Sequence, residues 1–134
     1  MKNITMAEDI TMAYAAGMID GDGCIAVQNK RSRNNYQLRV EVGMKYNTIP
    51  NWMYEIFGGS VSTYDNNSRL MTMWTVSGYL AKDCCNRILP YLILKKMNAE
   101  VALEFPVSAH GKHLTESDKY EQEYLYRVMK ELNH

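Results

Sequence analysis

Tyr14-Ala15-Ala16-Gly17-Met18-Ile19-Asp20-Gly21-Asp22-Gly23 is the stretch around which the rest of the chain is organised. It is apolar and rich in small residues, then abruptly carries two carboxylates set between glycines. Read as a helix it has no polar stripe, because Ile10, Ala13, Tyr14, Ala16, Gly17 and Met18 cover most of its circumference. A helix apolar all round is expected to be buried all round. Ala13, Ala16 and Gly17, spaced i, i+3, i+4, predict one nearly flat face that a second backbone approaches closely. Gly17 in mid-helix costs about 1 kcal/mol relative to Ala, so a close contact should offset it. Gly21 and Gly23 are expected to let the chain leave the helix sharply. Asp20 and Asp22 stand at that exit, where the helix end already carries partial negative charge. A carboxylate held at the foot of a close helix pair, ready to bind a divalent cation, makes use of this otherwise unfavourable placement. Two plainer readings compete. A calcium loop opening at Asp20 needs Gly at its sixth position and Glu at its twelfth, and those positions hold Ile25 and Arg31. An ordinary helix-to-strand turn with solvated acids remains as the alternative.

Upstream, Thr5-Met6-Ala7-Glu8 has the capping-box form, so the helix is expected to start near Met6. Downstream, residues 24–30 alternate as a half-buried strand, with Ile25 and Val27 on one side and Ala26, Gln28 and Lys30 on the other. A basic turn follows, and residues 36–46 alternate again. Leu38, Val40, Val42 and Met44 face inward; Gln37, Arg39, Glu41, Gly43 and Lys45 face outward. The pair reads as a hairpin with a basic tip at Lys30, Arg31 and Arg33. Thr48 is expected to cap a second helix, with Pro50 in its first turn and a stripe at Ile49, Trp52, Met53, Ile56 and Phe57. Gly58-Gly59 should end it. Residues 60–64 and 69–77 form a second hairpin across Asp65-Asn66-Asn67-Ser68. Its second strand sets Leu70, Thr72, Trp74 and Val76 against Arg69, Met71, Met73 and Thr75. Helices are predicted over residues 79–88, ending before Pro90, over 95–105, and from Thr115 onward with a stripe at Tyr120, Tyr124, Val128 and Leu132.

The order predicts an α+β fold, αββαββα, with a four-stranded antiparallel sheet, helices on one face and further helices at the C-terminus. The other sheet face would carry Gln28, Lys30, Arg39, Glu41, Lys45, Ser62, Tyr64, Arg69 and Thr75. Donors and acceptors on such a ribbon fit the major groove of double-stranded DNA. A plain solvated sheet face is the competing reading.

The chain has 134 residues, which predicts one domain with a real core. Three cysteines (Cys24, Cys84, Cys85) are an odd count, favouring free thiols and an intracellular setting, whether cytoplasm, nucleoid or organelle, rather than secretion. No apolar run reaches membrane-spanning length, so no membrane partner is expected. Net charge is zero, but residues 24–100 hold ten Lys/Arg against five Asp/Glu and the remainder the reverse. That asymmetry points to a basic working surface. His110 and His113 lie in a Gly-containing loop without a third ligand and read as surface. Cys84 and Cys85 read as packing.

Residues Ala15 to Gly23 resemble the nine-residue LAGLIDADG motif of a family of homing endonucleases. Ala15 and Met18 replace its leucines and Gly21 takes its small seventh position, while both acids and the flanking glycines match. The αββαββα order is similar to the family's as well. The resemblance implies one endonuclease domain over 1–134, with a core at about 6–106 and a helical extension over 107–134. It implies a saddle-shaped sheet over DNA. It also implies Asp22 as ligand of a catalytic Mg²⁺, joined by the Gly21 carbonyl, with no small-molecule cofactor. Leu89-Pro90-Tyr91-Leu92-Ile93-Leu94-Lys95 matches the family's segment leading to a lysine near the scissile phosphate, so Lys95 is the second catalytic candidate. Lys45 or Tyr46 takes the polar position at the end of the second strand. One motif implies a C2 homodimer with Ala13, Ala16, Gly17 and Asp20 at its interface. Two Asp22 carboxylates about 4 Å apart would repel by roughly 4 kcal/mol at an effective dielectric of 20, which metal ions relieve. The expected activity is a double-strand break in a long, roughly palindromic site, as in intron homing. A chain of this length is expected to be the endonuclease unit without a surrounding splicing domain. The competing classes are a non-cleaving nucleic-acid-binding protein, such as an RNA maturase or regulator, and a plain dimeric interaction protein.

Overall fold

The computed structural model describes residues 6–30, 35–108 and 113–134. The elements are α1 (Met6–Asp22), β1 (Gly23–Asn29), β2 (Tyr36–Met44), α2 (Thr48–Phe57), β3 (Ser60–Asn66), β4 (Arg69–Ser77), α3 (Gly78–Ile88), α4 (Lys96–Glu104) and α5 (Glu116–Leu132), with a 3-10 turn at Leu89–Tyr91. This is the α+β order read from the sequence. The four strands run β1-β2-β4-β3, every neighbouring pair antiparallel. Two hairpins are therefore joined through β2 and β4. Strict alternation puts Ile25, Leu38, Val40, Val42, Trp74 and Val76 on the helix-covered face, all buried.

Three local devices set the frame. Asn67 and Ser68 both have positive φ (54° and 67°), as a two-residue hairpin turn matched to strand twist requires. Gly59 has φ +93°, and a Cβ there would lie 2.2 Å from the Thr75 carbonyl oxygen, so the entry to β3 tolerates only glycine. Trp74 Nε1 donates to the Gly58 carbonyl at 2.9 Å, which fixes the end of α2 to the middle of β4.

Several local expectations are corrected. Thr48 lies inside α2 and the N-cap is Asn47, without a side-chain cap bond. The Thr5 capping residue, the hairpin-tip Arg31 and Arg33, and His110 lie outside the described residues. Thr115 does cap α5, in a reciprocal box with Asp118. The predicted α5 stripe does not face the core: Tyr120 is 73% and Tyr124 66% exposed, while Gln122, Leu125 and Met129 are buried. Leu125 and Met129 pack into the core with Gln122 on the same face, and the inward Gln122 is satisfied by donating from Nε2 to the Pro106 carbonyl at 2.7 Å. Leading off α5, Asn133 Nδ2 donates to the Ile25 carbonyl at 3.0 Å and accepts from Asn98 Nδ2 at 2.8 Å. β1 is a sheet edge, and α5 with these two amides covers it.

Candidate functional site

The site is built at the foot of α1. Ala15, Ala16 and Ile19 are fully buried in the core. Met6, Ile10, Ala13, Tyr14, Gly17 and Gly21 are exposed and follow one another at helical spacing. Thus α1 is not buried all round, and Ala16 does not share the open face with Ala13 and Gly17, because the sheet and α3 take that side. A Cβ placed on Gly17 or Gly21 would meet nothing within 4 Å. The open stripe continues onto α2, where Tyr14 and Trp52 pack edge to face at 5.3 Å between ring centroids.

The exit from α1 also differs from expectation. The helix runs through Asp22 and β1 starts at Gly23 without a left-handed residue between them. Gly23 is needed for closeness: a Cβ there would lie 2.7 Å from the Ile19 Cα and 3.0 Å from the Glu41 carbonyl oxygen.

The two acids have opposite surroundings. Asp20 is half-buried and accepts three backbone N–H bonds: from Ile93 at 2.8 Å and Leu94 at 3.2 Å on Oδ2, and from Lys95 at 2.9 Å on Oδ1. It thereby satisfies donors leading into α4. Burial alone would raise its pKa, but the three N–H groups and the Lys95 ammonium outweigh it and hold the carboxyl below its ordinary value. Asp22 is exposed, and no described residue forms a hydrogen bond or ion pair with it. Lys95 Nζ donates to the Asp20 carbonyl at 2.8 Å, which places an ammonium at the negative end of α1. Tyr91 Oη donates to Asp9 Oδ1 and ties the turn before Lys95 to the first turns of the same helix.

Among the described residues no three His, Cys, Asp or Glu side chains group as a metal site. The foot of α1 instead offers one outward carboxylate and, next to it, a helix-end carbonyl at Gly21. That all-oxygen, carboxylate-poor donor set fits Mg²⁺, which is held by one or two carboxylates with waters and substrate phosphates supplying the rest. Cys24, the nearest thiol in sequence, is raised in pKa by burial and by Glu41, so it is a poor thiolate ligand.

The uncovered sheet face carries Gln28, Arg39, Glu41, Thr75, Ser62, Tyr64 and Arg69, as the alternation required. Arg39 donates to Gln28 Oε1 at 2.6 Å and to Glu41 Oε2 at 3.1 Å, a preset fan of donors and acceptors. Lys30 lies just past β1, and Lys45 and Tyr46 just past β2, all exposed, with the Lys45 ammonium over the Tyr46 ring. The polar inventory read from the sequence leaves out Gly43, Met71 and Met73, which alternation also directs to this face. Methionine is easily assigned to a core on hydropathy, and only strand parity marked these two as outward.

The family model described as LAGLIDADG endonuclease matches residues 15–107. The chain belongs to the LAGLIDADG endonuclease family. Among solved structures, it is similar to the archaeal intron-encoded homing endonuclease I-Vdi141I complexed with DNA, at 17% identity over 95% of this chain and 86% of that one, TM-score 0.69. It is similar to the homing endonuclease I-CvuI in complex with its target in the presence of Ca, at 19% identity over 97% and 99%, TM-score 0.63. It also matches I-SmaMI bound to cleaved DNA, at 17% identity over 100% of this chain but 48% of that one, TM-score 0.67. These likenesses concern the fold. The search of curated proteins finds no match.

Proposed function

We propose that this chain is a site-specific DNA endonuclease that works as a homodimer, pairing α1 with α1 of a second copy and laying the uncovered sheet face in the major groove. The observation that carries this reading is the exposed apolar stripe of α1 ending in the unpartnered carboxylate of Asp22. One chain supplies half of a two-carboxylate site, and a C2 axis along α1 brings the second Asp22 beside the first. The 48% coverage of I-SmaMI, against near-complete coverage of I-CvuI, supports a half-size unit that needs a partner copy.

Asp22 and the Gly21 carbonyl would hold Mg²⁺, which would supply Lewis-acid charge stabilisation at the phosphodiester. Lys95 contributes a fixed positive charge at the same helix end, aimed by its bond to the Asp20 carbonyl. The Ala13, Gly17 and Gly21 positions form the close contact, with Ile10 and Tyr14 flanking it. Lys30, Arg31, Arg33, Lys45, Tyr46 and Arg69 engage phosphates, while Gln28, Arg39, Glu41, Ser62, Tyr64 and Thr75 face base edges. The whole of 1–134 acts as one domain, its C-terminal extension covering β1.

The test is a plasmid carrying a binding site verified for this protein, incubated with Mg²⁺ and with each variant. The unmodified protein is expected to break both strands, and Asp22→Asn to bind the site but leave it intact. A verified site left uncut by the unmodified protein would favour a non-cleaving nucleic-acid-binding protein. Full cleavage by Asp22→Asn would refute the ligand assignment.

A further inference from the structure

The uncovered sheet face is not uniformly polar. Gly43 of β2 pairs with Met73 of β4, which pairs with Ser62 of β3; one level along, Met71 pairs with Tyr64. A Cβ on Gly43 would lie 3.0 Å from Met73 Cε, 3.2 Å from its Sδ and 3.2 Å from Tyr64 Oη. The absent side chain at Gly43 thus lets the thioether and the phenol lie down across β2. Met71 and Met73 are half-buried and Tyr64 is 37% exposed, so these side chains form a shallow apolar floor. Gly23, which follows Asp22, pairs with Val42, so the floor begins beside the register level of Asp22.

Resting on the DNA-binding reading above, we infer that this floor reads thymine methyl groups in the major groove of each half-site. The C5-methyl of thymine is the one apolar group that unmodified base pairs present there. Guanine shows only acceptors in that groove, and a thioether is a weak acceptor and no donor, so a guanine edge laid on Met71 or Met73 loses water without gaining a partner. Thioethers are polarizable and fill irregular gaps, which suits contact with a methyl. A protein anchor needs a deep, desolvated pocket. This floor is a single side-chain layer bordered by the hydroxyls of Ser62 and Thr75, with Arg69 beyond Met71 on the same strand. That border of polar and cationic groups suits a nucleic-acid duplex.

The experiment selects binding sites for the whole protein from a randomised duplex pool in Ca²⁺, then replaces thymines of the selected site by uracil one at a time. Uracil lacks only the methyl, and no protein variant is needed, so misfolding cannot imitate the effect. Thymine is expected at one or two positions per half-site where replacement weakens binding about 3- to 5-fold, and Met73→Gln should turn the preference there toward adenine. Tight binding with every uracil replacement neutral overturns the inference and leaves the DNA-binding reading standing. Failure to enrich any duplex overturns both.

Discussion

Asp20 and Asp22 are two positions apart on one helix, about 200° around its axis, and that angle separates their roles. Asp20 turns into the chain and closes three backbone N–H groups; Asp22 is exposed and its carboxylate forms no hydrogen bond or ion pair with the described residues. Replacing Asp20 by Asn keeps the shape but sets an amide N–H against backbone N–H groups. A loss of about 1–2 kcal/mol is expected at pH 7, the scale of a lost helix cap, measured by urea unfolding. The folded-state pKa of Asp20 lies below its unfolded value, so its contribution is complete above the ordinary carboxyl pKa. It fades as pH falls through the folded value. The stability gap between the unmodified protein and Asp20→Asn should therefore narrow below about pH 4; a gap that widens there would contradict the assignment. Asp22→Asn, at an exposed and unpartnered position, should change stability by less than about 0.5 kcal/mol while abolishing cleavage. A second residue-scale expectation concerns the thiols. Burial pushes Cys85 up to about 12 and Cys84 well above the ordinary thiol range, so both should resist a thiol reagent in the native protein and react only on unfolding.

At the scale of the element, α1 carries two glycines with opposite meanings. Gly17 faces open space, so Gly17→Leu should leave the folded protomer unharmed or stabilise it by up to about 1 kcal/mol through helix propensity. The same substitution should block close pairing of two α1 helices. Unfolding and sedimentation measured together separate the effects: a stable Gly17→Leu monomer is expected, and a normal dimer would place the interface elsewhere. Gly23 has backbone on two sides, and Gly23→Ala should destabilise the protomer by about 1–3 kcal/mol. The misread face of α5 belongs to this scale as well. The stripe read from the sequence ran through Tyr120 and Tyr124, yet Leu125 and Met129 face the core, and Gln122 beside them is satisfied at the Pro106 carbonyl.

For the whole molecule, the charge asymmetry along the sequence becomes two kinds of surface cation. Arg39 is already held by Glu41 and Gln28, whereas Arg69 stands exposed beyond the last turn of the β3–β4 hairpin. Arg69→Ala should flatten the dependence of DNA binding on salt by about one unit of slope per contact removed, two for a dimer. Arg39→Ala should relax sequence preference more than it changes that slope. Binding titrations over a range of salt concentrations test both, and an unchanged slope for Arg69→Ala would remove it from the phosphate contacts.

The sequence by itself determined the element order, both hairpins, the parity of every strand and the helix-end acids, because those features follow from short-range periodicity and turn chemistry. The motif legible in residues 15–23 is likewise local. Tertiary structure alone decided which side of α1 stays open, which face of α5 turns inward and what Asp20 binds. Its donors lie 73 to 75 positions away in the chain. Periodicity names the faces an element has. It does not name the neighbour that will cover one of them or supply a buried polar atom with its partner.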